Sequence, residues 1–179
     1  MFDLLEFIGD YREGAKGRIE SRLPADLVRE LEAATRTSWL PIERDCLVVD
    51  SVVQEFGRKG AIDMWRAFTR RFSETKFIKP LVGTATRLGG LTLRTVARQT
   101  PRIWETSFRD LGEMDVIDQD DRSMVVMLTN AHPTLFEHEG YGLLLQGMYL
   151  GLHDMTRTED RMEFRQDPGL RLFQLILHW

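Results

Sequence analysis

The sequence predicts an α+β fold, a helical N-terminal half packed on a C-terminal antiparallel sheet with elements in the order β-β-α-β-β. Three observations carry this expectation. Apolar residues recur at helical spacing through most of residues 24–110. Residues 113–129 and 161–179 instead read as two hairpins, apolar alternation around polar turns. Between the hairpins, residues 134–154 are apolar on nearly every side, as in a helix covered on both faces.

In chain order, residues 1–12 carry Phe2, Leu4, Leu5, Phe7, Ile8 and Tyr11, a short amphipathic helix or strand, and a flexible joint follows at 13–17. Residues 1–22 therefore read as an N-terminal arm. Two readings stay open: the arm packs on its own chain, or Phe2, Leu5 and Ile8 dock on a partner or a second copy. Residues 23–179 read as a single α+β domain, with 23–110 helical and 111–179 forming the ββαββ part.

A helix is expected over 24–34, with Asp26 near its positive end. In the connector that follows, Trp39 is expected to plug the core. Pro41 then opens a helix to Phe56, with Cys46, Leu47, Val49, Val52, Val53 and Phe56 as its stripe and Gly57 as its stop. A further helix runs to Phe72, carrying Ile62, Met64, Trp65 and Phe68, with Arg66, Arg70 and Arg71 facing out. Residues 77–99 read as helix broken at Gly89-Gly90, and 101–110 as a short helix leading to the sheet. Met114 and Val116 share the inner face of the first strand, and 123–129 reads as a strand buried on most sides. The long apolar helix is expected to break near Gly140-Tyr141-Gly142. In the second hairpin Met162 and Phe164 point inward, and Phe173, Leu175, Leu177 and Trp179 share a face.

Composition narrows the function. The net charge of −4 gives no global electrostatic case for nucleic acid or an anionic membrane, and no stretch has the length and apolarity of a membrane span. One cysteine and no signal-like N-terminus point to a reducing, cytoplasmic setting.

The residues supply little chemistry. His132, His138, His153 and His178 make no i, i+4 pair and no H-E-x-x-H, so no metal site is expected. Cys46 lies on an apolar stripe and reads as a small buried hydrophobe. There is no nucleophile elbow and no phosphate-binding glycine loop. His138-Glu139-Gly140-Tyr141 would serve an enzyme only if these side chains met Asp or Arg partners in a cleft; a solvated helix start is the simpler reading. The acids at 115–121 read as turn solvation. Arg87, Arg94 and Arg98 line one side of a helix. They are candidates to meet a phosphate or an acidic partner, or form a solvated face paired with nearby acids. Trp65, Phe68, Trp104, Met127, Met148 and Phe173 are candidates to line an apolar pocket between the sheet and the helices of 42–98, or they fill the core.

The helical first half, Trp39-Leu40-Pro41 opening a helix, the lead from Arg102-Ile103-Trp104 to Gly112, and the β-β-α-β-β end closing on 173–179 together resemble a family of uncharacterised proteins from myxobacteria and their relatives. That family is similar in architecture to the heme-nitric-oxide-binding and vinyl-reductase-type sensory domains. The resemblance spans roughly everything after Leu23. It implies a small-molecule sensing or scaffold domain, often dimeric. Heme-binding relatives need a proximal histidine ahead of or within the β-rich part and a Tyr-x-Ser-x-Arg set for the propionates; residues 101–110 hold no histidine and that set does not occur. Vinyl-reductase-type domains often carry C-terminal cysteines, and none follows Cys46. The expectation is a non-enzymatic bacterial regulatory domain without heme or other cofactor. It would bind a small apolar ligand, a protein partner or both, as a homodimer. The alternative is a pure protein–protein adaptor in signalling or motility with a filled core.

Overall fold

The computed structural model describes residues 2–34, 39–74, 90–159 and 161–179, without the side chains of residues 2, 3 and 73. Helices α1 (Phe2–Tyr11), α2 (Ala15–Glu20) and α3 (Ala25–Ala33) precede the long α4 (Ile42–Ser73). Short helices α5 (Leu93–Ala97) and α6 (Thr100–Ser107) lead to the hairpin β1 (Glu113–Asp120) and β2 (Ser123–Thr129). Then come α7 (Thr134–Glu137), α8 (Glu139–Thr156) and the hairpin β3 (Arg161–Asp167) and β4 (Leu172–His178). The result is α+β, a helical N-terminal half against a four-stranded antiparallel sheet ordered β1-β2-β4-β3.

The sheet's inner face is built by alternation. Met114, Met124, Val126, Leu128, Phe173, Leu175 and Leu177 are buried, while Ile117 and the β3 residues Arg161, Glu163 and Arg165 face solvent. The two central strands, β2 and β4, carry most of this apolar set, because each is covered by a neighbour on both edges.

Helix α8 is the hub. It is buried on nearly every side because it lies between α4 and the sheet: Gly142 faces the Phe164 ring on β3, and the Tyr149 hydroxyl reaches Met114 on β1. Its contact with α4 is the most extensive between helices. Glycines make it possible. A Cβ on Gly147 would fall 2.5 Å from the Trp65 Cβ and 2.6 Å from the Ile62 carbonyl oxygen, and one on Gly151 would fall 2.7 Å from the Thr69 Cβ.

Several elements differ from the sequence reading, each for a local reason. The two helices expected on either side of Gly57 are one rod with a break at Gly57, whose left-handed φ of 70° only glycine adopts freely. Within that rod Leu47 is exposed and Val48 takes its place in the core. The apolar helix after the first hairpin breaks at His138, not at Gly140–Gly142, and both glycines sit inside α8. Of the region 77–99, residues 77–89 lie outside the described residues and only α5 forms a helix in the rest, capped by Thr92 accepting from the Thr95 amide. Trp39 does not plug the core; it is 38% exposed. The N-terminal segment is not a free arm: Leu5 and Ile8, with Leu4 and Phe7, are buried in this chain's own core. The Phe2 side chain lies outside the described residues.

Candidate functional site

A cavity of about 250 Å3 lies among α4, α5, α6, α8 and the segment 107–111. Helix α4 contributes Trp65, Phe68, Thr69 and Phe72 from one stripe, and Asp45 and Val49 from beyond the Gly57 break. Helix α8 contributes Leu144, Met148, Leu152 and Met155, again one stripe, together with Tyr149. Val96, Thr100, Ile103 and Phe108 close the third side, and Trp39 and Arg109 line it where the chain meets solvent. Phe68 stacks on Phe72 and meets Trp65 and Phe7 edge-on, which holds the aromatic wall rigid.

The polar groups of the lining are mostly committed. The Tyr149 hydroxyl donates to Thr100 Oγ1 at 2.8 Å, which in turn donates to the Ala97 carbonyl at 2.7 Å; complete burial pushes the phenol's pKa up, so it stays protonated. Asp45 accepts from the Tyr141 hydroxyl, and burial raises its pKa above the usual carboxylate range. The indole Nε1 of Trp65 is buried in the wall and has no hydrogen-bond partner among the described residues. The Arg109 guanidinium lies over the Trp39 ring, 4.3 Å from its centroid, and no carboxylate pairs with it among the described residues.

Polar pairs tie α8 to α4 on either side of this cavity. His138 Nδ1 lies 2.5 Å from Asp50 Oδ2, Glu139 pairs with Arg58, and Asp154 pairs with Arg66, at 2.8 Å to its Nε. So His138, Glu139 and Tyr141 do meet Asp and Arg side chains, against the simpler expectation of a solvated helix start. Of these side chains only the Asp45 carboxyl lines the cavity, and the rest act as a clamp between two helices.

No family model and no curated protein matches the chain. Solved structures do. One, from work on tuning heme redox potential by protein-induced porphyrin distortion, aligns over 98% of this chain and 96% of its own at 11% identity, TM-score 0.66. A mutant T. Tengcongensis H-NOX domain aligns over 98% and 93%, also at 11% identity and TM-score 0.66. An oxygen-binding H-NOX domain related to soluble guanylate cyclases, in its oxygen complex, aligns over 97% and 88% at 13% identity, TM-score 0.59. The fold is that of the H-NOX domains. The resemblance to heme-nitric-oxide-binding domains read from the element order is therefore present in three dimensions.

Two of the neighbouring structures are described with heme, and the described cavity residues do not fit that group. None of the four histidines lines the cavity, nor does Cys46. His138 is held by Asp50, His153 lies 3.2 Å from Thr158 Oγ1, and His178 sits on β4 facing Glu163. Tyr149 is a hydrogen-bonded, protonated phenol. That leaves, among the described lining residues, the thioethers of Met148 and Met155; in cytochromes c such a thioether shares the iron with a histidine, and no histidine lines this cavity among the described residues. Among the described lining residues Arg109 is the one cation, where two propionates would need partners.

Of the six residues expected to line a pocket, the structure brings Trp65, Phe68 and Met148 together. The other three do not line it. Trp104 is buried with its indole N–H donating to the Gly112 carbonyl at 3.1 Å, Phe173 stacks on Phe136, and Met127 alternates onto the outer sheet face. The cavity is also not between sheet and helices; among the described residues no strand contributes to it. Arg94 and Arg98 both pair with Asp118 at the sheet edge, so they are not open to a phosphate, and Arg87 lies outside the described residues. Arg66 is turned toward α8, and Arg71 toward Asp10 on α1. Cys46 is buried and its thiol is pushed up to about 12, mainly by burial. Leu152, Met155 and Arg109 escaped the sequence reading. The first two were visible as an i, i+4, i+8, i+11 stripe with Leu144 and Met148, whereas nothing local marks Arg109.

Proposed function

We propose that this chain is a non-catalytic sensory domain that holds a small apolar ligand in the helix-lined cavity, without heme. We place it in the bacterial cytoplasm, acting as a homodimer that passes occupancy to a signalling partner. One observation carries the reading: an H-NOX-like fold keeps an apolar cavity of about 250 Å3 with no histidine or cysteine among its described lining residues. Small-ligand sites are typically such largely apolar concavities with a few placed polar groups.

Native mass spectrometry of protein purified from its own host, with an absorption spectrum, tests it. The expected result is a dimer carrying an extra small-molecule mass, no Soret band, and no discrete complex on adding hemin. A Soret band overturns the heme-free reading. Filling the cavity with Met148→Trp should remove the bound mass while leaving the melting temperature unchanged or higher. If the wild type carries no mass, the adaptor reading takes over. That second reading has support on the outer sheet face, where Ile117, Val125 and Ile176 lie in register across three strands and Ile117 is exposed.

A further inference from the structure

We infer that the ligand is an amphipathic monocarboxylate, its apolar body inside the cavity and its carboxylate on Arg109. This rests on the cavity being a ligand site, as proposed above. The argument begins with the arginines. Most described arginines are matched to acids of this chain: Arg18 and Arg22 to Glu55, Arg44 to Asp26, Arg66 to Asp154, Arg94 and Arg98 to Asp118. Arg109 is exposed and, among the described residues, has no such partner and is the one arginine in the cavity lining. Its guanidinium is held by the Trp39 face at 4.3 Å. Stacking uses the face of the guanidinium and leaves its in-plane N–H fork free, the geometry that takes a carboxylate through two parallel hydrogen bonds.

The remaining lining fits the rest of such a molecule. Phe68, Phe72, Leu152 and Met155 offer an apolar bed. Asp45, the one acid among the described lining residues, accepts from Tyr141 and is shifted toward its neutral form, which lowers both its attraction for a cation and its repulsion of an anion. Size follows from volume. At about 25 Å3 per heavy atom, the ratio for a cavity of about 150 Å3 that takes up benzene, about 250 Å3 holds about ten heavy atoms. A medium-chain fatty acid such as octanoate, or an arylalkanoic acid, is of this size.

The test is isothermal titration of the full chain at pH 7.5 with octanoate, 1-octanol and octylamine, on the wild type and on Arg109→Gln. Arg109 is exposed, and circular dichroism checks that the variant folds. Octanoate should bind about tenfold or more tighter than octanol, the scale of one charge-assisted pair, and octylamine weakest. Arg109→Gln should erase the preference for octanoate while leaving octanol binding unchanged. If octanol or octylamine binds as well as octanoate, or if Arg109→Gln keeps the preference, the carboxylate inference fails and the cavity reading survives. If none of the three binds, both fail together.

Discussion

Asp45 stands where a carboxylate is costly. It sits in the first turn of α4, where an acid normally serves the helix dipole, yet here burial lifts its pKa and the Tyr141 hydroxyl is its hydrogen-bond donor. A folded-state value above the unfolded value of about 3.9 means that the folded protein binds more protons above that pH, so this residue's contribution to stability falls as pH rises. Asn at this position still accepts from Tyr141 and carries no charge to desolvate. Asp45→Asn should therefore melt higher than wild type at pH 8, with the gap closing as pH is lowered toward 4. Equal melting temperatures across that range would show that Asp45 is solvated. In the sequence this residue was indistinguishable from a helix-start acid, because its burial depends on Tyr141, 96 positions away.

Among the elements, α8 against α4 carries the most weight, and the glycines of α8 set its distance. Gly147→Ala would push a methyl group against the Trp65 Cβ and the Ile62 carbonyl, a packing conflict of about 1–3 kcal/mol. For a domain of this size that is a fall in melting temperature of about 2–4 °C per kcal/mol. Gly17 on α2 is the matched control: its Cβ position is open, so Gly17→Ala should be neutral or stabilising by up to about 1 kcal/mol. If both variants melt alike, the close approach of α8 is not set by its glycines. Strands and helices were legible because periodicity is a local signal. Met114 and Val116, Met162 and Phe164, and Phe173, Leu175 and Leu177 all lie on the expected faces. The break at His138 was not legible, since Gly140 and Gly142 look like helix breakers until α4 and Phe164 are seen occupying the space a side chain would need.

For the molecule as a whole, the N-terminus is part of one core. Deleting residues 1–12 should cost cooperative melting, because Leu4, Leu5, Phe7 and Ile8 leave the interior at about 1.5–3 kcal/mol each. A docking arm would instead leave the melt intact and weaken only association. The cavity shows the same division between local and global information. Trp65, Phe68 and Met148 could be picked as bulky residues on apolar helices. Trp104, Met127 and Phe173 could not be told from them, because what separates the two sets is which elements fail to close on each other. The placement of the tryptophans has an optical consequence. Two of the four line the cavity: Trp65, 3% exposed in an apolar wall, and Trp39, 38% exposed under the Arg109 guanidinium. The first should emit blue and the second red. An occupant of the cavity replaces water beside the Trp39 indole and leaves the already dry Trp65 unchanged, so a blue shift of the red component in the emission of the unlabelled protein reports filling with no added dye.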